Sequence, residues 1–298
     1  MTKEYREGDV IKEVGVTKWF NQIFEEVDLI KLEFLAELTK GHYVILGKGM
    51  RILNKMYDAL KSVVEIPLGF EEVALPKIAP VITFEKAALL PHWNPHLLSV
   101  NPYTTTDGIE DECIMDPLQC TVVYQLLQGK QIDVSDNPLK WFDRSGPTYR
   151  NEDLDDLLPG VKQREFHRAE FVYIGTKEQV IDMRESCLSQ LELLCKRLGF
   201  AYRVVVGAGC HRFEEDEKTY TNNEREIQVK DIEIYCPGYK HGFLEVSGNS
   251  VVGNKLTRRF SILGKEGEEL WSGCSGVGLD RMLYTVASYQ QNNLLRLE

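Results

Sequence analysis

The order in which two hydrophobic periodicities occur along the chain constrains its fold most. Helical spacing comes early, over 17–39 (Trp19, Phe20, Ile23, Val27, Ile30, Phe34 and Leu38) and over about 49–64 (Met50, Ile52, Leu53, Met56 and Leu60). It returns in a long amphipathic helix over 176–198, with Val180, Met183, Cys187, Leu191, Leu194 and Leu198 along one face. Extended stretches are expected at 148–152 and 165–175, and after the long helix at 202–207, 228–236, 243–247 and 258–263. Runs of helix followed by runs of strand predict an α+β fold, an antiparallel β-sheet flanked by helices. The segment from Gly69 to Pro76 reads as a strand ending at a proline, and Cys120 to Gln128 as a short helix. The stretch 91–118, broken by Pro91, Pro95, Pro102 and Pro117, reads as loop with short helices. A glycine-rich turn at 273–278 is expected to open a last helix over about 279–290. With no internal repeat, low-complexity tract or linker, one domain is expected, residues 1–46 being a helical segment of the same core.

The 298 residues carry 35 basic and 46 acidic side chains, a formal charge of −11. That balance argues against a broad basic face that wraps nucleic acid, while leaving room for a local basic cleft for ATP. No window approaches 18 uninterrupted apolar residues, so no membrane span is expected. The charged start, Met1 to Gly8, lacks the apolar stretch of a signal peptide, and a cytoplasmic location follows as the expectation. Seven cysteines without regular spacing do not form a disulfide framework.

Three segments carry candidate chemistry. The first is Tyr149-Arg150-Asn151-Glu152 followed by Arg164-Glu165-Phe166-His167-Arg168-Ala169-Glu170. Strand alternation puts Arg150 with Glu152 on one face, and Phe166, Arg168 and Glu170 on one face of the next strand. Arginine there can neutralise a phosphate, a carboxylate can accept from an exocyclic amine, and an aromatic can stack on a purine. The same alternation also fits a solvated cross-strand charge ladder. The second segment runs from Gly273 through Cys274, Gly276 and Gly278 to Arg281; its glycines let backbone approach a ligand, and a helix start favours anions. It has neither the dinucleotide spacing nor the Lys-Ser/Thr ending of the common phosphate loops. The third, Asp231-Ile232-Glu233 with Glu245-Val246-Ser247-Gly248-Asn249, places carboxylates on neighbouring strands, where they can hold Mg²⁺ beside a triphosphate or simply face solvent.

Taken together, in this order, the segments resemble the motifs of class II aminoacyl-tRNA synthetases. Gly69 to Pro76 resembles motif 1, a dimer-interface element in that family, which implies a homodimer. Tyr149 to Glu170 resembles motif 2, and Gly273 to Arg281 motif 3. The stretches Glu165 to Thr176 and Leu270 to Leu279 are most similar to the zinc-dependent seryl-tRNA synthetases of methanogenic archaea. The likeness runs from about residue 47 to 290, so 47–298 is expected to be the catalytic domain. It implies that Arg150 holds the ATP α-phosphate and the reacting carboxylate, Glu152 reads the adenine amino group, Phe166 stacks on the base, and Arg164 belongs to the same ATP site. Arg281 is implied beside the γ-phosphate and adenine, Glu233 and Glu245 near Mg²⁺, and Arg168 at the substrate carboxylate. Gly248 departs from the serine that many seryl enzymes carry there. The zinc ligands of those enzymes fall on Cys120, Glu170 and Cys274, a set that spacing alone does not propose. Cys/Cys/Glu ligation leaves one position open for the neutral α-amino group of the substrate. His167, pointing to the opposite face from Arg168, is given no role.

The seryl enzymes carry a large N-terminal tRNA-binding domain that this sequence does not show, and the charge is −11. These features favour the truncated homologues of that family, the amino acid:carrier protein ligases, and make tRNA an unlikely acceptor. The expected reaction is thus activation of glycine, alanine or serine with ATP, and transfer to the phosphopantetheine thiol of a carrier protein. A seryl-type tRNA synthetase core, or a biosynthetic ligase with another acceptor, is the alternative. The pocket wall that sets the amino acid is expected in Gly207 to Glu215, which includes Cys210 and His211; the role of Cys236 is open.

Overall fold

The computed structural model describes residues 4–16, 24–104, 110–209 and 221–292. Nine strands form the central sheet: β1 (Val10–Val14), β2 (Glu71–Val73), β3 (Leu139–Asp143), β4 (Pro147–Tyr149), β5 (Glu165–Gly175), β6 (Tyr202–Val206), β7 (Val229–Tyr235), β8 (Phe243–Gly253) and β9 (Trp271–Gly278). Their order is β1-β6-β7-β8-β9-β5-β3-β2, with β4 beside β5. All pairings in it are antiparallel except β2 with β3. Four helices matter for the site: α1 (Gly47–Leu60), α2 (Thr121–Leu126), α3 (Lys177–Arg197) and α4 (Leu279–Gln291). The fold is mixed α+β, as the sequence predicts.

Alternation on β5 divides the molecule in two. Ala169, Phe171 and Tyr173 face a core shared with α1, α3 and α4, where Phe171 stacks on Phe142 with ring centroids 4.5 Å apart. Val172 and Ile174 face a second apolar cluster that includes Cys120, Tyr124, Phe260 and Cys274. Helix α3 is started by a capping box in which Thr176 and Gln179 satisfy each other's backbone N–H groups. Of its predicted apolar face, Val180, Cys187, Leu191 and Leu194 are buried and Met183 and Leu198 partly buried, and Gly199, at φ +71°, turns the chain out of it. Among the described residues, no helix is long and apolar enough to cross a membrane.

Several local expectations are corrected. Residues 35–39 are not helix but one strand of a hairpin, Leu35–Thr39 with His42–Ile45, turning at Gly41. Val27, Leu29, Phe34 and Leu35 are buried against α1 and α4 from irregular or extended backbone, so their spacing reflects burial of a winding segment. Trp19, Phe20 and Ile23 lie outside the described residues. The proline-broken stretch contains two strands, Leu98–Thr104 and Glu110–Met115, which join Ile78–Pro80 in a second sheet. Pro102 sits on the edge strand of that sheet, where the register slips between Val100 and Tyr103, a position that needs no ladder N–H. Residues 255–259 are helix, not strand. The glycine-rich segment 273–278 is not a turn but the central strand β9, whose missing side chains make the sheet surface accessible from one face.

Candidate active site

A cavity of about 460 Å³ opens over β5, β7, β8 and β9, on the face opposite α3. Its walls include Arg150, Glu152, Phe166, Arg168, Glu245, Cys274 and Arg281, so most of the sequence-derived site residues converge there. Cys120, Arg164, Glu170 and Glu233 are not among the lining residues. The Arg164 side chain packs beside Gly41 of the hairpin. Glu233 instead accepts from Arg203 Nε at 2.6 Å, one side of an ion pair with strand β6. Asp231, two residues earlier on the same face of β7, lines the cavity.

Two arginines line the cavity. Arg150 lies with its guanidinium 4.9 Å from the Trp93 ring centre and 5.2 Å from that of Phe166, and its Nε donates to Pro117 O. Such contacts restrain the plane of the guanidinium. Arg281, on the first turn of α4, donates through Nε to Val161 O (3.1 Å) and through Nη1 to Glu245 O (2.9 Å). The half-exposed Glu245 carboxylate is 3.4 Å from Arg281 Nη1. Glu152 is paired with Lys162 at 3.3 Å. Trp93, Lys162, Asp231 and Asp280 also line the cavity. Trp93 was hidden in a segment read as loop; Asp280 was signalled only by standing next to Arg281.

His167 turns out to lie at the cavity too. Its backbone N–H donates to Asp280 Oδ2, and its Nδ1 is 3.5 Å from the same oxygen. Burial would push the imidazole down, but the Asp280 carboxylate outweighs it and holds the His167 pKa above its ordinary value of 6.5. One carboxylate of the motif 3 segment is thereby tied to the strand that carries the motif 2 segment.

Cys274, which lines the cavity, meets the buried Cys120 and Glu170, and the three offer two thiols and a carboxylate whose ligand atoms all lie within 4.8 Å of one another. All three residues are buried, and none of the described cysteines is in a disulfide. Glu170 comes from β5, Cys274 from β9, and Cys120 from the N-cap of α2. Arg168 Nη2 approaches Glu170 Oε2 at 2.5 Å. Gly276 pairs directly with Glu170, and a Cβ there would stand 2.6 Å from Glu170 Oε2 and 2.7 Å from Arg168 Nε. The glycine is what lets both side chains lie flat over β9. Two soft thiolates and one carboxylate at this separation fit the donor chemistry of Zn²⁺ with one position left over. The Gly207–Glu215 wall lies in part outside the described residues, including Cys210 and His211, but Ala208 and Gly209 do line the cavity.

Residues 103–290 match the family described as tRNA synthetase class II core domain (G, H, P, S and T). The type-2 serine–tRNA ligase of Methanococcoides burtonii is 31% identical over 264 residues, covering 78% of this chain and 51% of that protein. The serine–tRNA ligase of Psychrobacter cryohalolentis is 24% identical over 278 residues, covering 91% of this chain and 62% of that protein. Among solved structures, M. kandleri SerRS in complex with A. aeolicus tRNASec superposes with a TM-score of 0.81 at 21% identity, covering 97% of this chain and 61% of that one. The cytoplasmic serine–tRNA ligase of Naegleria fowleri in complex with AMP gives a TM-score of 0.75 at 18% identity, covering 95% and 61%. The chain thus spans about half the length of the type-2 relatives it matches. These findings overturn the expectation that tRNA is an unlikely acceptor and that a phosphopantetheinylated carrier protein takes its place. The relatives are serine–tRNA ligases, and one neighbour is in complex with a tRNA. Net charge is summed over the molecule, whereas phosphate contacts are local, so −11 does not exclude a nucleic-acid partner.

Proposed function

Because the chain belongs to the class II tRNA synthetase core family, we propose that it is the amino-acid-activating core of a seryl-type aminoacyl-tRNA synthetase. The reaction joins serine to ATP as seryl-adenylate with release of pyrophosphate, and tRNA is the acceptor that follows. The observation that carries this reading is the gathering of Cys120, Glu170 and Cys274 beside Arg168, where Cys274 and Arg168 border a cavity also lined by Arg150 and Arg281.

Zn²⁺ held by Cys120, Glu170 and Cys274 would supply a Lewis-acid position for a neutral α-amino group. Arg168, fixed against Glu170, presents its guanidinium to the carboxylate of the same amino acid. A carboxylate oxygen then attacks the α-phosphorus of ATP, the bond to the pyrophosphate oxygen breaks, and the electron pair leaves with pyrophosphate. Arg150 stabilises the charge that spreads over the α-phosphate, its plane held between Trp93 and Phe166. Phe166 takes the adenine ring, Glu152 accepts from its exocyclic amine, and Arg281 serves the far phosphate. Glu245 is the rim carboxylate suited to hydrated Mg²⁺. Arg164 and Glu233 receive no part, since Arg164 packs beside Gly41 and the Glu233 carboxylate is paired with Arg203. No covalent intermediate with the protein is required; positioning and electrostatics carry the step.

The test is ATP–pyrophosphate exchange with each amino acid in turn, followed by charging of a tRNA preparation with the one that works. Serine-dependent exchange and serylated tRNA are expected. Exchange with no amino acid, or with serine ranking below unrelated side chains, would refute the assignment.

A further inference from the structure

Asp143 ends strand β3 and is 1% exposed. Its two oxygens serve two different parts of the molecule. Oδ1 accepts from Leu75 N (3.3 Å), Ser145 N (2.9 Å) and Ser145 Oγ (2.5 Å), anchoring the chain that leaves β2. Oδ2 accepts from Lys77 Nζ at 2.6 Å and from Gln119 Nε2 at 2.9 Å. Burial alone would raise this carboxyl, but the Lys77 and Ser145 bonds outweigh it and hold its pKa below the ordinary 3.8, so it is an anionic anchor at neutral pH.

Gln119 immediately precedes Cys120 and is fully buried. Its Nε2 also reaches Arg168 O at 3.4 Å, and its Oε1 accepts from Thr148 Oγ1 at 3.3 Å. Its backbone N–H donates to Asp116 Oδ1. The residue stands at φ +61°, a left-handed backbone that costs a residue bearing a Cβ roughly 1 kcal/mol and that glycine would adopt freely. A glutamine kept at such a place is explained by its amide. On the other side, Asp143 is the direct cross-strand partner of Glu170. One buried carboxylate thus borders the segments that present Cys120, Arg168 and Glu170.

We propose that Asp143 and Gln119 are positioning residues of the metal site, an outer layer that fixes Cys120 and the Arg168–Glu170 pair at binding distance and joins them to the segment after β2. The inference rests on Cys120, Glu170 and Cys274 being a zinc site. Partners behind the ligands of a metal typically govern its affinity by about 10–100-fold. The amide of Gln119 acts through Oδ2 of Asp143, whereas Ser145 uses Oδ1 only, so the two can be separated by substitution.

Zinc dissociation constants measured by chelator competition, with thermal melts on the same samples, test this. Wild type, Gln119→Ala, Asp143→Asn and Ser145→Ala are compared. Gln119→Ala and Asp143→Asn are expected to weaken zinc by about 10–100-fold. Ser145→Ala is expected to lower Tm while leaving zinc affinity within about twofold. If wild type binds zinc but Gln119→Ala and Ser145→Ala shift the affinity equally, the positioning role falls and the zinc site stands. If wild type binds no zinc, both fall together. Should Asp143→Asn fail to fold, the comparison of Gln119→Ala with Ser145→Ala decides alone.

Discussion

At the scale of single residues, two glycines on the cavity floor make different demands. A Cβ on Gly276 would collide with Glu170 and Arg168 at 2.6–2.7 Å, whereas one on Gly248 would come 3.2 Å from Asp231 Oδ1. Gly276→Ala is therefore expected to lower serine-dependent exchange by at least about 100-fold and to weaken zinc, and Gly248→Ala to do far less; steady-state exchange rates check the contrast. Arg150→Ala is expected to cost about 10²–10³-fold in kcat/KM for adenylate formation, and Arg150→Lys should recover little, because an ammonium cannot lie flat between Trp93 and Phe166. The His167–Asp280 pair predicts a pH effect of known sign. Since the folded-state pKa of His167 is raised, the stability it contributes is fully present below its unfolded value near 6.5 and is lost as pH rises through the folded value. Melting curves from acid to mildly alkaline pH should show a decline in wild type that Asp280→Asn flattens. These three residue-level features differ in how visible they were. Arg150 and Glu170 were legible because strand alternation and motif order both pointed to them. The Asp280 contact was not, because it joins residues 113 positions apart through one backbone N–H.

At the scale of elements, α3 was readable from its apolar periodicity, and the Thr176–Gln179 cap and the left-handed Gly199 that the structure shows at its ends agree with that reading. Thr176→Ala is expected to destabilise the chain by about 1 kcal/mol, seen as a Tm decrease of a few degrees, with exchange activity per folded molecule unchanged. Strand β9 was misread as a turn because glycine has low strand propensity, and nothing local records that the strand is buried at the centre of a nine-stranded sheet. The same reason hid the strands at 98–104 and 110–115: proline suggested loop, while edge pairing and a slipped register accommodated it. Glu233 was placed near Mg²⁺ by strand alternation together with the family resemblance. Alternation does hold along β7 and leaves Glu233 on the face of Asp231, but its direct cross-strand partner Arg203 takes the carboxylate, a contact that nothing local in the sequence records.

At the scale of the whole molecule, the fold was legible from three motifs in chain order, and the zinc ligands only through the family they resemble. Cys120, Glu170 and Cys274 lie far apart in sequence and meet because β5 and β9 are neighbours and α2 starts beneath them. The acceptor was not legible, because net charge and the extent of a sequence say little about where phosphates would touch. The measurement that tests the central claim most directly is serine-dependent ATP–pyrophosphate exchange before and after verified removal of metal, with restoration by zinc. The account predicts exchange that disappears with the metal, returns with zinc and is not restored in a Cys274→Ser chain. Undiminished exchange in protein shown to be free of metal would contradict it.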